Sequence, residues 1–232
     1  MIQLLELVAN IVSLSIIVPI GPNDSSWKNL ISDLKFLSLE DEVLFVADHE
    51  ISTNELPCSW KYISSPLGRA EQLNRGAQAA RHEMLWFLHS DSRVSIECLR
   101  AVRSFEHQED LQIGFFPLAF YDGPSSMLIT QLGVWFRSQL LKIPFGDQGF
   151  CLSKKTFEHL GPYPTELQYG EDHVFIWRAH QMKIPVIPFA PKIYTSARKY
   201  QKNGWNQTTL NHLILTWQQA KPELKKLMRQ KC

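Results

Sequence analysis

The sequence of 232 residues is short of the features that mark several specialised protein classes. It holds four cysteines, with no Cys-x-x-Cys pair and no nearby histidine at metal-ligand spacing: Cys58, Cys98, Cys151 and Cys232. This pattern argues against a disulfide framework or a zinc site and predicts free, buried thiols in a reducing compartment. No stretch reaches the roughly 18 apolar residues that a membrane-spanning helix needs. The near balance of 24 Lys and Arg with 23 Asp and Glu argues against nucleic-acid binding through total charge.

The amino-terminal residues lack the pattern of a secretory signal. Met1–Ile20 is fairly apolar, but Glu6 lies where a signal peptide carries Lys or Arg, and the first basic residue is Lys28. We therefore expect a cytoplasmic protein that starts with a short helix followed by a strand. The composition is 44% hydrophobic and 20% charged, with neither repeats nor a clear linker, so we expect residues 1–232 to form a single domain.

Charge is distributed unevenly along the chain. From Lys192 to the end there are nine Lys or Arg residues and one acid, Glu223, so this part has a net charge of +8 and the first 191 residues have −7. Such a basic segment is suited to phosphate groups or to an anionic membrane surface. A solvated helix end would have the same composition.

Apolar strand patterns alternate with amphipathic helix patterns in the first half of the chain. Strands are predicted at 14–20, 43–47, 84–88 and 113–120, and helices from Ser25 or Ser26 to Phe36, at 68–81 and at 95–105. This alternation predicts parallel βαβ units and a doubly wound sheet. Ligands of such sheets bind at the carboxyl ends of the strands, which directs attention to Pro19–Asn23, Asp48 and His89–Arg93.

The second half is less regular. Ser125–Leu141 has a rather apolar helical pattern, and the glycine-bearing loop Pro144–Gly149 follows it. Further helices are expected at 153–160, ended by Gly161, and at 171–182. Pro185–Pro188 is expected to be an edge strand, because proline is tolerated only at sheet edges.

Asp91 follows the third predicted strand, so its carboxylate is expected to lie in the ligand cleft. There it could bind Mg²⁺ or Mn²⁺, which take one or two carboxylates together with phosphate oxygens. An aspartate in a strand-to-helix turn can equally bond its own backbone.

Arg69, Gln72 and Gly76 share one side of the second predicted helix, at spacings of three and seven residues. That side meets either solvent or the cleft. A glycine inside a helix costs about 1 kcal/mol relative to alanine, so Gly76 indicates a close approach to another element.

Two further charged patterns suit chemistry at the cleft. Glu171 and Asp172 open a helix, where the helix dipole would keep a carboxylate ionised and able to act as a general base; an aspartate is also simply a good N-cap. Arg198 and Lys199 follow two hydroxyl residues in a pattern suited to phosphate. The sequence has no Gly-x-Ser-x-Gly elbow, no P-loop lysine motif and no Gly-x-Gly-x-x-Gly after the first strand.

Taken in order, these segments resemble the family-2 glycosyltransferases of the smaller bacterial kind. The resemblance spans roughly residues 14–215. Its matching strings are SIIVP at 15–19, GRAEQLNRGA at 68–77, FLHSDSR at 87–93, FGDQG at 145–149, GED at 170–172 and TSAR at 195–198.

The resemblance implies a single GT-A (Rossmann-like) α/β domain, with a mostly parallel central sheet flanked by helices. It implies a nucleotide-binding half at about 14–122, an acceptor half at about 123–215 and a basic carboxy-terminal helix at about 216–232. The donor would be a nucleoside-diphosphate sugar, usually of uridine or guanosine. Asp91 would bind a divalent cation, Mn²⁺ or Mg²⁺, as part of the DxD motif of the family.

The resemblance also assigns expected roles to single residues. The donor would be bound by Pro19, Asp48, Arg69, Gln72, Ser90, Asp91 and Arg198. Asp172, with Glu171 beside it, would be the catalytic base, and Asp147 and Gln148 would lie near the acceptor. The reaction would be hexosyltransferase-like, a single inverting displacement at the anomeric carbon by an acceptor hydroxyl.

Two departures from the family pattern bear on these roles. His89 stands in place of the first acid of the DxD motif as a metal ligand, and imidazole suits borderline metals better than Mg²⁺, so metal identity and metal dependence stay open. The second strand runs into Asp48-His49-Glu50 instead of an acidic, glycine-bearing turn, which leaves the base specificity open.

Two alternatives remain at this point. A catalytically weak nucleotide-sugar-binding protein could keep the same fold, and a sugar-phosphate nucleotidyltransferase would share the nucleotide-binding half. The latter normally has a basic, glycine-rich loop after the first strand, whereas Gly21–Asp24 has no basic residue. The acceptor is open. The apolar segment Met127–Leu141 and the basic tail with Trp205 and Trp217 suit a lipid-linked acceptor at the inner face of a membrane, or else core and a solubilising tail.

Overall fold

The computed structural model of the chain describes residues 12–51, 56–105, 111–167 and 169–229. The short helix expected before the first strand lies outside the described residues, and so does Cys232. All statements below refer to the described parts of the chain.

A seven-stranded sheet forms the centre of the molecule, and a two-stranded sheet lies beside it. In chain order, the strands are β1 (Leu14–Ile20), β2 (Glu42–Ala47), β3 (Trp60–Ser64), β4 (Met84–Phe87), β5 (Ile113–Phe115), β6 (Leu118–Phe120), β7 (Cys151–Ser153), β8 (Val186–Pro188) and β9 (Ile193–Thr195). The order in the large sheet is β3-β2-β1-β4-β7-β5-β8. All its neighbours are parallel except β7, which runs antiparallel to both β4 and β5. The predicted mostly parallel sheet is therefore confirmed.

Helices cover both faces of this sheet. They are α1 (Trp27–Asp33), α2 (Arg69–Ala79), α3 (Ile96–Phe105), α4 (Met127–Trp135), α5 (Lys154–Leu160), α6 (Glu171–Gln181), α7 (Arg198–Asn203) and α8 (Trp205–Arg229), with a π-helical turn at Phe136–Leu140 after α4 and a 3₁₀ turn at Gly146–Gln148. Alternate residues of β1 enter two different hydrophobic clusters. Ile16 and Val18 pack with α1 and α3, whereas Ile17 packs with α2 and α6. Burial on both faces explains why β1 is apolar except for Ser15, whose hydroxyl donates to Glu42 Oε1 at 2.7 Å.

Several element boundaries differ from the sequence-based expectation. The strand expected at 113–120 is two strands, β5 and β6, separated by Phe116 and Pro117, and β6 pairs with β9 in the smaller sheet. Proline has no N–H for a ladder, and the carbonyl of Pro117 instead accepts from Ile193 N at 3.0 Å. The short strands β3, β7 and β9 were missed. The basic carboxy-terminal helix begins at Trp205, well before 216.

Other expectations are confirmed. β8 is an edge strand, and helices lie at the predicted positions 153–160 and 171–182 within a residue or two. Of the described cysteines, Cys98 and Cys151 are free and buried as predicted, whereas the free Cys58 is exposed. Within the described residues, none of the helices combines the length and apolar character required to cross a bilayer.

Gly76 provides the close approach that its position in a helix indicates. A Cβ built at Gly76 would lie 2.4 Å from the Cγ2 of Ile17 and 3.2 Å from the Cγ2 of Val46. The glycine therefore lets α2 settle directly onto β1 and β2. This contact fixes the height of α2 above the sheet, and with it the position of Arg69 at the start of the helix.

We expect Gly76→Ala to lower the free energy of unfolding by about 1–2 kcal/mol. Overpacking a well-filled interior costs about 1–3 kcal/mol, which outweighs the roughly 1 kcal/mol that alanine contributes to helix propensity. Urea unfolding followed by circular dichroism measures the change.

Gly133 in α4 offers the matched control, since a Cβ there would meet nothing within 4 Å. Gly133→Ala is expected to leave stability unchanged or raise it by up to about 1 kcal/mol. Equal stabilisation by both substitutions would contradict the tight seating of α2.

Candidate functional site

The candidate site lies at the edge of the large sheet where β1, β2 and β4 end. The chain leaves β1 toward Asp24, and leaves β4 through His89, Ser90 and Asp91. The antiparallel β7 enters the sheet from this same edge, so the segment before β7, with Gly146 and Asp147, also reaches the site. Residues from six separate parts of the chain contribute to the site.

The first group, the Arg69 cluster, consists of Arg69, His89, Glu171 and Asp172. The Nε of Arg69 donates to Glu171 Oε1, and its Nη2 lies 3.8 Å from Asp172 Oδ2. Its Nη1 is 3.5 Å from His89 Nε2. The first residue of α2 thus joins the first turn of α6 to the loop after β4.

Asp172 is held by two backbone donors in addition to Arg69. Gly146 N donates to Asp172 Oδ2 at 2.6 Å, and His173 N donates to Oδ1 at 2.8 Å. A Cβ at Gly146 would lie 3.0 Å from Asp172 Oδ2 and 3.1 Å from His89 Nε2. The absence of a side chain at Gly146 therefore lets the backbone reach the carboxylate, which is 11% exposed at its side chain.

The start of α6 is fixed by Gly170, which adopts a left-handed conformation with φ of 82°. Gln219 of α8 lies against it and donates to Tyr169 O at 3.1 Å. Glu171 and Asp172 follow as the first two helical residues, where the helix dipole favours negative charge.

The cluster keeps both Asp172 and His89 deprotonated, Asp172 as an anion and His89 as a neutral imidazole. Burial alone would raise the pKa of Asp172, but the Arg69 guanidinium and the hydrogen bond from Gly146 lower it overall, so the carboxylate is ionised at neutral pH. Burial, with the positive charge of Arg69, lowers the pKa of His89 and leaves its imidazole neutral. Burial opposes the charge of Arg69, yet the charges of Asp172 and Glu171 raise its pKa overall.

The second group, the Arg198 cluster, consists of Asp24, Ser90, Asp91 and Arg198. Arg198 Nη1 lies 3.4 Å from Asp24 Oδ1, and its Nη2 lies 3.7 Å from Asp91 Oδ2. Ser90 Oγ donates to Asp24 Oδ2 at 2.6 Å. One exposed guanidinium therefore faces two carboxylates, one from the loop after β1 and one from the loop after β4.

The two carboxylates of the Arg198 cluster differ in their ionisation. Burial would raise the pKa of Asp24, but hydrogen bonds from Ser90 and Ser26 lower it to about 2. Burial raises the pKa of Asp91, with a contribution from the charge of Asp24 and against that of Arg198. Asp24 is thus the ionised partner of Arg198. Of the two carboxylates, Asp91 is the one whose ionised form an additional cation would stabilise more.

Asp147 interacts electrostatically with acids of both clusters. Burial raises its pKa to about 6, opposed by the Arg137 guanidinium and reinforced by the charges of both Asp172 and Asp91. Within the described residues, its buried Oδ1 has no hydrogen-bond partner. Because Asp147 senses both Asp172 and Asp91, these carboxylates lie around one region of the molecule.

The described residues provide no group of three or more His, Cys, Asp or Glu side chains that could hold a metal ion. Asp91 can supply only one or two of the roughly six oxygen ligands of Mg²⁺ or Mn²⁺. It therefore fits a cation whose other ligands come from a bound diphosphate and water, and not a cation held by the protein alone. His89 Nε2 lies against Arg69 and Gly146, on the Asp172 side.

Four residues expected at the ligand are buried or make contacts within the protein. Gln148 is completely buried; its Nε2 donates to Phe116 O at 2.9 Å, and its Oε1 accepts from Phe145 N at 3.3 Å. Gln72 is likewise buried and donates to Ile20 O at 2.9 Å. Pro19 is a buried residue of β1, and Asp48 Oδ1 lies 2.9 Å from His49 Nδ1. Both glutamine amides are thus used by the backbone at the ends of β1 and β5.

Two residues of the site were missed in the sequence. Asp24 lies in the loop after β1, and its position at the end of a buried strand was the available signal. Arg137 stands alone as a charge within the apolar segment 127–141. Its guanidinium lies 3.5 Å from the centre of the Phe145 ring, and its Nη2 is 3.4 Å from Gln148 Oε1.

Comparison with known proteins gives a likeness to solved structures. No protein-family model and no curated protein sequence matches the chain. TarS 1-349 of S. aureus is similar with a TM-score of 0.61 at 19% identity, covering 79% of this chain and 60% of that one. The same fragment in complex with UDP-GlcNAc gives a TM-score of 0.59 at 20% identity, with coverages of 79% and 58%. The mannosyltransferase PcManGT from Pyrobaculum calidifontis, in complex with GDP-Man and Mn²⁺, gives 0.63 at 15% identity, with coverages of 94% and 68%.

At these identities the likeness establishes the fold. The chain is a single α/β domain of the GT-A, Rossmann-like type, with the mostly parallel sheet and flanking helices that the sequence predicted. It spans less than two thirds of the length of either TarS structure.

We expect Asp147→Asn to stabilise the protein at neutral pH by about 1–3 kcal/mol. The pKa of Asp147 in the folded protein, about 6, lies above its ordinary value of 3.8, so the folded state binds the proton more tightly. The free energy of unfolding contributed by this group therefore falls as the pH rises from about 4 to about 6. Asparagine removes that loss.

Urea unfolding of both proteins across this pH range measures the effect. Their stabilities should converge as the pH falls below 3.8, where Asp147 becomes protonated in the unfolded as well as the folded state. A variant that is less stable than the natural protein at neutral pH would contradict this electrostatic assignment.

Proposed function

We propose that this protein is an inverting glycosyltransferase that moves a sugar from a nucleoside diphosphate to an acceptor hydroxyl. The observation that carries the proposal is the ionised Asp172, held beside Arg69 and a neutral His89 at the carboxyl edge of the sheet, with the Arg198 cluster nearby. A displacement at an anomeric carbon needs a base for the attacking hydroxyl and a cation for the departing diphosphate, and Asp172 and Arg198 can supply them.

Asp172 is proposed as the general base. It would accept the proton of the acceptor hydroxyl as the oxygen attacks the anomeric carbon. Its two backbone donors and Arg69 fix the carboxylate in one orientation, and orientation of this kind is a large part of catalysis. Removal of a general base typically costs 10²–10⁴-fold in rate.

Glu171 and His89 are proposed to support the base. Glu171 is 2% exposed, and its bond to Arg69 Nε holds the guanidinium between the two carboxylates. The neutral His89 adds no positive charge that would weaken Asp172 as a proton acceptor, and its Nε2 can accept from Arg69. Both residues therefore act through Arg69 rather than on the reacting atoms.

Arg198 is proposed to stabilise the diphosphate that leaves. Its side chain is 49% exposed, and Asp24 and Asp91 hold it while leaving the guanidinium open to solvent and to a ligand. Charge-assisted bonds from a guanidinium to phosphate oxygens are strong and directional, and such stabilisation of developing charge is often the largest catalytic contribution.

A divalent cation fits at Asp91 together with the diphosphate. When bound there, Mn²⁺ or Mg²⁺ would neutralise charge on the phosphate oxygens. The mannosyltransferase PcManGT was solved with Mn²⁺ and GDP-Man, which supports this part of the proposal. Ser90 would then act by fixing Asp24 and the direction of Arg198.

The remaining expected residues fall into two groups. Pro19 and Asp48 are proposed to border the nucleoside, at the ends of β1 and β2. Asp147, with Arg137 beside it, is proposed to contact a hydroxyl of the acceptor or of the sugar, because its buried oxygen lacks a donor among the described residues. Gln72 and Gln148 are proposed to position backbone at the site without touching ligand.

We expect Asp172→Asn to lower the rate of sugar transfer by about 10²–10⁴-fold with little change in the affinity for a nucleoside diphosphate. Asparagine keeps the acceptor for Gly146 N but cannot take the proton. Release of UDP or GDP from the corresponding nucleotide sugars, with and without candidate acceptors, measures turnover. Glu158→Gln on the exposed side of α5 removes a carboxylate far from the site and should change nothing.

Unchanged turnover in Asp172→Asn would contradict the assignment of the base. Tight nucleotide binding without any release of nucleoside diphosphate by the natural protein would favour the non-catalytic binding protein of the same fold. Formation of a nucleotide sugar from a sugar phosphate would favour the nucleotidyltransferase.

Donor binding gives a second test. UDP or GDP is expected to raise the midpoint of thermal unfolding in proportion to RT ln(1 + [L]/Kd), and Mn²⁺ or Mg²⁺ should increase that rise. Asp91→Ala is expected to abolish the metal-dependent part, and Arg198→Gln the larger part of the nucleotide effect. A metal-dependent shift that survives in Asp91→Ala would show that the cation binds elsewhere.

A further inference from the structure

The long helix α8 presents its polar side to the protein and its apolar side to solvent. Thr208 and Glu223 are its buried residues, and Gln219 contacts His173 and Tyr169. By contrast, Leu213 is 64% exposed and Trp217 is 63% exposed. A helix on the surface of a soluble protein normally has the opposite arrangement.

The angular positions show that this inversion is systematic. With 100° per residue, Thr208, Gln219 and Glu223 fall on one side of α8. The exposed side chains Leu210, Leu213, Ile214, Trp217, Leu224 and Met228 fall on the other side, within about 100° of one another. An apolar stripe, interrupted by Asn206 and Lys221, thus runs along the solvent side of α8.

The segment formed by α4 and the π-helical turn repeats the inversion. Its Thr130 and Ser138 face the protein, whereas Leu128, Leu132 and Phe136 are 70%, 66% and 53% exposed. Only Met127 of α4 is buried. Two helical segments far apart in the sequence therefore share the same unusual orientation.

The two segments adjoin. Trp205 Nε1 at the start of α8 donates to Thr130 Oγ1 of α4 at 2.8 Å. Trp205 also packs on the small cluster of Met127, Ala197 and Tyr200. We call the exposed side chains of both segments the apolar surface, represented by Leu128, Leu132, Phe136, Leu210, Leu213 and Trp217.

The charge around the apolar surface is of one sign. Residues 123–142 and 198–229 contain nine Lys or Arg residues and a single acid, Glu223. That acid is buried and paired with Gln181 and Lys226. Lys221 and Lys225 are exposed and lie at the margin of the stripe on α8. The surface thus combines exposed apolar side chains with positive charge and no exposed carboxylate.

We propose that the apolar surface docks this protein onto the face of an anionic phospholipid bilayer. Apolar side chains would enter the boundary between headgroups and acyl chains, and the lysines would meet lipid phosphates. Trp135 and Trp217, both exposed, are of the residue type that favours this boundary. Among the described residues no helix is able to span the bilayer, so the helices would lie along it.

A second copy of the chain fits this surface less well. In a two-fold contact each patch meets itself, so two positively charged surfaces would approach each other without an exposed carboxylate of these segments to pair with the lysines. The proposal goes beyond sugar transfer and does not rest on it.

The full chain can be tested with extruded vesicles. We expect it to sediment with vesicles of equimolar phosphatidylcholine and phosphatidylglycerol, to bind phosphatidylcholine alone at least about ten-fold more weakly, and to lose affinity as salt rises. Absence of binding to the anionic vesicles at low salt would overturn the proposal, as would equal binding to both kinds.

Variants then locate the contact. The double substitution Leu213→Gln and Trp217→Gln is expected to weaken binding to anionic vesicles by about ten-fold or more, because apolar insertion is lost. Lys221→Gln with Lys225→Gln should weaken it by a similar factor and reduce the dependence on salt. The matched control is Leu39→Gln with Leu67→Gln, since both leucines are exposed elsewhere, at 82% and 67%.

The variants replace solvent-exposed residues, so thermal unfolding should show that they fold. Equal weakening by the control pair would contradict the assigned surface. Light scattering of the natural protein measures its oligomeric state and so tests whether a second copy of the chain covers the apolar surface. The natural protein could instead form a dimer and fail to bind vesicles, with a dimer that dissociates in the Leu213→Gln and Trp217→Gln variant. That result would identify a second copy of the chain, and not a bilayer, as the partner of the apolar surface.

Discussion

The arrangement of the site depends on one guanidinium that holds two adjacent buried carboxylates. Glu171 and Asp172 open the same helix, and two adjacent carboxyl groups are costly to bury as anions unless a cation pairs with them. Arg69 supplies that cation from the first residue of another helix, and Gly76 lets this helix lie close enough to the sheet to do so. Arg69 and the hydrogen bond from Gly146 together lower the pKa of Asp172 against the effect of burial, and burial with the charge of Arg69 lowers the pKa of His89.

A second cation, Arg198, balances a different pair of acids a short way along the same edge. Its partner Asp24 has a lowered pKa, whereas Asp91 has a raised one. The pKa values of Asp24 and Asp172 are thus lowered by their partners, whereas burial raises the pKa values of Asp91 and Asp147. Carboxyl groups with raised pKa values are typical of functional sites, where a bound cation or hydrogen-bond donor can stabilise the carboxylate.

The sequence was sufficient for the parts of the structure that have strong patterns. β1 and β2 are apolar except for Ser15 and Glu42, and Gly76 inside an amphipathic helix indicated a close contact. The pairing of Arg69 with Glu171, 102 residues away, could not be derived from spacing, because only the fold brings the starts of α2 and α6 together. β7 has three residues, too few for a periodic pattern, yet its reversed direction brings Gly146 and Asp147 to the site. Gln72 and Gln148 show the opposite limit, since a polar residue near a motif can be used entirely by the backbone.

Gln219 links the long carboxy-terminal helix to the turn that precedes Asp172. It lies against Gly170, donates to Tyr169 O, and has its Oε1 3.2 Å from His173 Nδ1. The helix α8 therefore holds in place the residues on both sides of Glu171 and Asp172. A chain truncated before Trp205 would retain every residue of both clusters. It would still lose the contacts of Gln219 that hold the start of α6, and with it the Arg69 cluster, in position.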